Sequence, residues 1–239
     1  MDQACPWDFL PPAAIDFCEA NRCGWVVEPM NTLSSFAFVI VGAFLWRKSQ
    51  KEGATGLLAA TGPICILIGL FSATLHTSMT QMGNFLDLAS MYLLATLLLF
   101  FNWRRYRIIF GKPVRERRER LYYIFTICTL LLVHAFWMPA GVPMFGALVI
   151  AYGILEILLW IYRRKTGKKI KYGHFRGLAL SFGLSFLVWT LDISQTLCWR
   201  NSVFQGHAIW HVGCAISVIY AYLYFSQFPQ SVTGDLRKS

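Results

Sequence analysis

Residues 206 to 227 read GHAIWHVGCAISVIYAYLYFSQ, 22 residues without one charged side chain. At about 1.5 Å of helical rise per residue, such a run crosses the roughly 30 Å hydrocarbon core of a bilayer, so it predicts a transmembrane helix. His207 and His211 stand four residues apart at its start. On a helix this spacing points both imidazoles the same way, about 6 Å apart along the axis, so that both can reach one metal ion. The run contains no lysine, which argues against a retinal-bearing pigment despite the helix count derived below.

Working outward, further apolar runs of spanning length fall near residues 31–46, 57–76, 84–103, 121–138, 143–162 and 177–196. With 56% hydrophobic, 16% aromatic and 14% charged residues, the composition lies outside that of soluble domains. The expected fold is all-α, a polytopic seven-transmembrane helix bundle formed by one domain over residues 1–239. No repeat and no low-complexity tract divides it.

The connecting segments alternate in charge. After spans 1, 3, 5 and 7 lie Arg47, Lys48 and Lys51; Arg104, Arg105, Arg107, Lys112, Arg115, Arg117, Arg118 and Arg120; Arg163, Arg164, Lys165, Lys168, Lys169, Lys171 and Arg176; and Arg237 and Lys238. These are 20 of the 22 basic residues; Arg22 and Arg200 alone lie on the opposite side. The positive-inside rule then puts the N-terminus outside and the C-terminus in the cytosol. The net charge of +10 follows from this clustering beside the spans, so it reads as anchoring to anionic lipid at the cytosolic face rather than as nucleic-acid binding. Residues 1–30 form an acidic extracytoplasmic segment without the basic and apolar pattern of a cleaved signal peptide, and the first span is expected to direct insertion.

With this topology the ionisable residues of the spans fall at one depth. His76 closes span 2, Asp87 opens span 3, Asp192 lies near the outer end of span 6, and His207 and His211 open span 7. Ser72 precedes His76 by four residues and shares its helix face. Each taken alone has a bland reading: an interfacial histidine, or a serine bonded to the carbonyl four residues back. Together His76, His207 and His211 make a set of three neutral imidazoles suited to zinc with an open fourth position, as catalytic zinc requires. A carboxylate at membrane depth needs a partner. For Asp87 and Asp192 the candidates are the second nitrogen of a metal-bound histidine, a water on the metal, or an indole such as that of Trp189. Glu156 lies deeper and reads as a structural partner or a snorkelling residue; His134 could join the cluster as a fourth histidine but, alone on its helix, reads rather as a core or interfacial residue, and His174 falls in a basic loop.

The pattern of Ser72, His76, Asp87, His207 and His211 over seven helices resembles the alkaline ceramidases, within a superfamily of membrane hydrolases that includes the adiponectin receptors. The stretch Ile15-Asp16-Phe17-Cys18-Glu19-Ala20-Asn21, with Glu28 and Asn31-Thr32 after it, resembles that family's DWCExN segment, with phenylalanine in place of tryptophan and a shorter run from Asn21 to Glu28. Val188-Trp189-Thr190-Leu191-Asp192 with Cys198 resembles its FWxxD…C segment, and Gly206 to His211 its FHAxWH. The resemblance implies zinc-dependent hydrolysis of the amide of ceramide or a related N-acyl lipid, releasing a fatty acid and a sphingoid base. It implies zinc on His76, His207 and His211, Asp87 as proton acceptor and donor, and Ser72 as oxyanion stabiliser. It also implies a calcium site of Asp16, the Phe17 carbonyl, Glu19, Asn21 and Glu28, a hard-oxygen set that suits this ion.

Of seven cysteines, Cys65, Cys128 and Cys214 fall within spans, while Cys5, Cys18, Cys23 and Cys198 lie where thiols can oxidise. A Cys18–Cys198 disulfide is expected, with Cys5–Cys23 as a second pairing. The rival readings are a non-enzymatic seven-helix lipid receptor and a metal- or haem-binding membrane protein, in which the histidines serve without hydrolysis. The sequence leaves oligomeric state open.

Overall fold

A computed structural model describes residues 4–162 and 170–228. The basic residues Arg163, Arg164, Lys165, Lys168, Lys169, Arg237 and Lys238 lie outside the described residues. Among the described residues, seven helices are long and apolar enough to cross a membrane: α1 (Pro29–Lys51), α2 (Gly56–Ser78), α3 (Gln81–Ile109), α4 (Glu116–Phe136), α5 (Gly141–Tyr162), α6 (Tyr172–Ile193) and α7 (Gly206–Phe225). A single 3-10 turn, Met138–Ala140, joins α4 to α5. The all-helical, seven-span architecture expected from the apolar runs is the one observed.

Several helices outrun their apolar stretches. α4 starts at Glu116 and α6 at Tyr172, so His174 and Arg176 belong to the first turns of α6 and not to a loop. Hydrogen bonding continues a helix past the residues that face hydrocarbon. The turn from α2 to α3 is also tighter than expected, with Met79 and Thr80 alone between the helices. Met79 adopts a left-handed conformation (φ 47°), and the Thr80 hydroxyl accepts from the Gly83 amide at 3.2 Å, capping α3. This hairpin puts Asp87 two turns into α3, not at its opening.

Packing follows sequence order for the first three helices. α1 lies along α2 so closely that a Cβ added to Gly62 would come within 2.5 Å of the Trp46 backbone nitrogen, which is why only glycine fits there. α2 packs on α3, α3 on α5, and α7 on both α1 and α6. α5 and α6 barely touch. Between the α3–α5 pair and the α6–α7 pair lies a cavity of about 680 Å³, lined mainly by apolar side chains.

At the basic end, Arg104 and Arg105, read as lipid anchors, form buried pairs instead, and Glu156 is the structural partner of one of them. Arg104 bonds Glu119 through Nε at 2.8 Å, and Arg105 meets Glu156 at 2.5 Å while its guanidinium covers the Phe228 ring. The Tyr224 hydroxyl donates to the other Glu156 oxygen at 2.5 Å. Arg104 and Arg105 are therefore not available for anionic headgroups, since burial of a charge in a membrane protein requires a charged or polar partner.

Residues 4–28 fold across the opposite end of the bundle. The Ala13 amide bonds the Met79 carbonyl, Val27 bonds Thr77, Glu28 bonds the His76 carbonyl and Ala20 bonds Arg200. Disulfides Cys5–Cys23 and Cys18–Cys198 both form, the second tying this segment to the α6–α7 loop. Both expected pairings are thus present, and Cys65, Cys128 and Cys214 are free thiols.

Candidate metal and hydrolytic site

α2 and α7 bring their histidines together under the N-terminal segment. The ligand atoms of His76, His207 and His211 lie within 4.8 Å of one another, and all three side chains are buried. Ring centroids are 4.5 Å apart for His207 and His211 and 4.8 Å apart for His76 and His207. Phe17 covers the trio, its ring 4.1 Å from that of His207 and 4.9 Å from that of His76.

The outward nitrogens of His76 and His211 are held, which fixes what their inward ones can do. His76 Nδ1 lies 2.6 Å from Glu28 Oε2, and His76 Nε2 is buried with no hydrogen-bond partner. His211 Nδ1 lies 2.8 Å from the Ser34 hydroxyl. The Ser34 hydroxyl donates to the Asn31 carbonyl at 3.0 Å, which leaves its oxygen to accept from His211, while the Ser35 hydroxyl reaches both that carbonyl at 2.9 Å and the Ser72 hydroxyl at 3.2 Å as a donor. This arrangement favours the His211 proton on Nδ1 and a bare Nε2. His207 Nδ1 is buried and unpartnered. Buried imidazole nitrogens without partners are costly unless something binds them, and three neutral, convergent nitrogens suit a borderline-soft cation.

Ser72 and Asp87 complete the group. The Ser72 hydroxyl lies 3.2 Å from His211 Nε2 and hydrogen-bonds the Asp87 carboxylate across the α2–α3 hairpin. Both line the cavity, as do His207 and His211. A hydroxyl, a carboxylate and three imidazoles therefore stand at one end of an apolar cavity.

Asp192 is placed differently from expectation. Its carboxylate accepts from the Cys18 amide at 3.1 Å, from the His207 amide at 3.0 Å and from the Gly206 amide, and makes no bond to an imidazole nitrogen. The physical reason is the orphan amides and positive dipole end of α7, which attract a carboxylate from α6. Gly206 permits the approach: a Cβ there would lie 2.9 Å from the Asp192 side chain. Trp189 likewise does not bond Asp192; it stacks with Phe186 and packs 6.0 Å from Trp210 on the cavity wall.

The residues expected to hold calcium are only partly gathered. Glu19 is buried and accepts from the Met30 and Asn31 amides at 2.8 Å each, capping α1. Burial pushes its carboxyl above the usual range, opposed by those two amides. The Phe17 carbonyl accepts from Gln195 Nε2 at 3.3 Å, and Asp16 and Asn21 are exposed. Glu28 has no exposed surface; burial, with help from the Asp192 and Asp16 charges, raises its carboxyl to about 8. Its Oε1, together with Asn31 Oδ1 and Thr32 Oγ1, is buried without a partner. Among the described residues, the histidine trio is the group of three His, Cys, Asp or Glu ligands that converges within 4.8 Å.

His134 stays apart from the site. It is buried on α4, stacked 5.1 Å from Phe85 and edge-on to Tyr92. Sequence reasoning missed Ser34 and Ser35 and gave Asn31 and Glu28 no part beside the histidines. The signal was available: outer nitrogens of metal-ready histidines need acceptors, and the first turns of α1 are unusually polar for a span.

A family profile described as Ceramidase matches residues 10–237, nearly the whole chain. The chain belongs to the ceramidase family. Two similar proteins carry the name alkaline ceramidase 1. That of Homo sapiens is 28% identical over 214 residues, covering 87% of this chain and 79% of the relative. That of Mus musculus is 28% identical over 221 residues, covering 87% and 76%. In this member of the ceramidase family, as its sequence suggested, the histidines come from α2 and α7 and the acid from α3.

Proposed function

We propose that this protein is a zinc-dependent intramembrane amidohydrolase that cleaves ceramide or a related N-acyl lipid to a fatty acid and a sphingoid base. The observation that carries the reading is the meeting of His76, His207, His211, Ser72 and Asp87 at one end of an apolar cavity of about 680 Å³. That volume lies within the roughly 300–1,000 Å³ of small-molecule pockets, and its lining suits a hydrocarbon tail. Membership of the ceramidase family and the names of the relatives supply the substrate class.

His76, His207 and His211 would hold the zinc, with Glu28 and Ser34 fixing the His76 and His211 rings through their other nitrogens. Bound there, zinc supplies Lewis acidity, polarising the scissile carbonyl and making water a stronger acid. Asp87 takes the proton of the attacking water and delivers it to the leaving amine nitrogen as the C–N bond breaks. Ser72, released from Asp87 by that protonation, turns its hydroxyl to the developing oxyanion. Water thus adds OH to the acyl carbon and H to the amine, which balances the hydrolysis. Phe17 and the disulfide-tied segment above it restrict entry of bulk water from that end.

A cation also fits near the N-terminal segment, where the buried oxygens Glu28 Oε1 and Asn31 Oδ1 lack partners and the charges of Asp16, Glu19, Glu28 and Asp192 repel one another. Calcium on Asp16, the Phe17 carbonyl, Glu19, Asn21 and Glu28 would relieve that repulsion. With the basic connections in the cytosol, the site faces the extracytoplasmic or lumenal leaflet, a reading supported by two disulfides at that end. The test is incubation with ceramides and other N-acyl lipids, with and without chelator, followed by mass detection of released fatty acid. Cleavage of acyl esters alone would refute the amidase assignment.

A further inference from the structure

The cavity runs from the histidines far down the bundle. On α7 it is lined from His207 and His211 through Cys214, Val218 and Ala221, a descent of roughly 15 Å from His211 to Ala221 at the helical rise. At its far end it is lined by Tyr152 and Phe175, beyond which lies the buried Arg105–Glu156–Tyr224 cluster. His207, only 5% exposed and with its Nδ1 unpartnered, lines the same cavity at the top. The space therefore connects an unsatisfied donor set with a long apolar slot.

Along α5 two glycines face this slot. Gly146 and Gly153 both line it, and a Cβ added to either would meet nothing within 4 Å. Neither has a positive φ, so neither the backbone nor a packed neighbour requires glycine at these positions. A glycine within a helix costs about 1 kcal/mol against alanine. What the two glycines do provide is width. Gly141 meets Leu88, the neighbour of Asp87, so Gly146, five residues on, lies roughly 7 Å below the level of the site where a tail leaves it; Gly153 lies two turns further, roughly 10 Å deeper.

We propose that Gly153 is a length-determining position for the substrate and Gly146 a width-determining one: the missing side chains form the channel through which the hydrocarbon tail passes the site and then extends toward Tyr152. This rests on the lipid amidase reading above. A tail that ends before the level of Gly153 is indifferent to a side chain there, whereas a longer one must give up methylene contacts or bend. A side chain at Gly146 obstructs every tail.

The experiment compares full-length Gly153→Leu, Gly153→Ala and Gly146→Leu with the wild type on ceramides bearing octanoyl, palmitoyl and lignoceroyl chains, and on a matching series of sphingoid-base lengths. Gly183→Leu serves as control, because Gly183 is exposed on α6, has open space for a Cβ and does not line the cavity. Gly153→Leu should lower the ratio of long-chain to octanoyl turnover by about tenfold or more in one of the two series, equivalent to roughly two lost methylene contacts. Gly153→Ala should shift it in the same direction by less, and Gly146→Leu should lower turnover at all lengths. A folding defect would reduce all lengths together and leave the ratio unmoved, so an unchanged ratio for a Gly153→Leu protein as stable as Gly183→Leu overturns the proposal. Native mass spectrometry of retained lipids over the same series reads the length cut-off without turnover. A wild type that hydrolyses none of the panel would therefore sink the amidase reading separately from the channel.

Discussion

Replacing Glu28 by glutamine tests how far the site depends on a residue that does not itself point at the cavity. The Glu28 side chain is fully buried, and Oε2 lies 2.6 Å from His76 Nδ1 and 3.1 Å from Asn31 Nδ2. A metal on His76 Nε2 makes Nδ1–H a stronger donor and favours the Glu28 carboxylate over the acid form that burial alone favours; glutamine keeps the shape but cannot take up that charge, and it brings N–H donors beside groups that already donate. Charge-assisted bonds are roughly twice as strong as neutral ones, so about 1.5 kcal/mol is lost, close to a tenfold change. Loss of the outer partner of a metal-bound histidine typically costs about 10- to 100-fold in metal affinity, in agreement. Zinc affinity of Glu28→Gln, measured by competition with a chromophoric chelator at neutral pH, should fall in that range. Glu19→Gln, which disturbs the amides of Met30 and Asn31 rather than a histidine, should lower it much less. Wild-type zinc affinity in Glu28→Gln, or an equal loss in both variants, would refute the coupling of Glu28 to His76.

Three further outcomes follow from the packing. Asp192→Ala strands the amides of Cys18 and His207 and should destabilise the fold by roughly 3–5 kcal/mol, while Asp192→Asn, which keeps one acceptor, should cost less; an unchanged melting temperature in the alanine variant would contradict the capping role. Glu156→Leu leaves the Arg105 charge buried and unpaired, at about 3–5 kcal/mol, and Arg105→Leu in the same chain should recover much of it; strict additivity in that double-mutant cycle would show that the pair is not coupled. Cys198→Ser opens a link between residues 180 apart in sequence and should lower thermal stability by roughly 2–5 kcal/mol under oxidising conditions; a chain whose denatured mass after alkylation is the same with and without reduction would deny both disulfides.

The seven spans were legible because apolar runs of the right length carry their meaning locally. Their ends were less so: hydropathy marks where side chains meet hydrocarbon, and α4 and α6 each begin five residues earlier, among basic residues that still hydrogen-bond as helix. The histidine trio was legible from spacing and depth, since His207 and His211 share a face and Ser72 sits one turn from His76. The partners of the buried carboxylates were not. Asp192 meets Cys18 across 174 residues and Glu28 meets His76 across 48, contacts made by an N-terminal segment whose path over the bundle no periodicity announces. The same holds for Arg104 and Arg105, whose sequence context is that of lipid anchors while their surroundings are Glu119 and Glu156. Charge counts locate a residue along the membrane normal but do not say whether it faces lipid or protein.

The most direct test of the central claim is hydrolysis of a ceramide by purified protein stripped of metal and then titrated with zinc. The stripped protein should release no fatty acid, hydrolysis should recover at about one zinc per chain, and it should not recover when His207 and His211 are both alanine. Full amide hydrolysis by the stripped protein, or by the double-alanine variant, would contradict that claim.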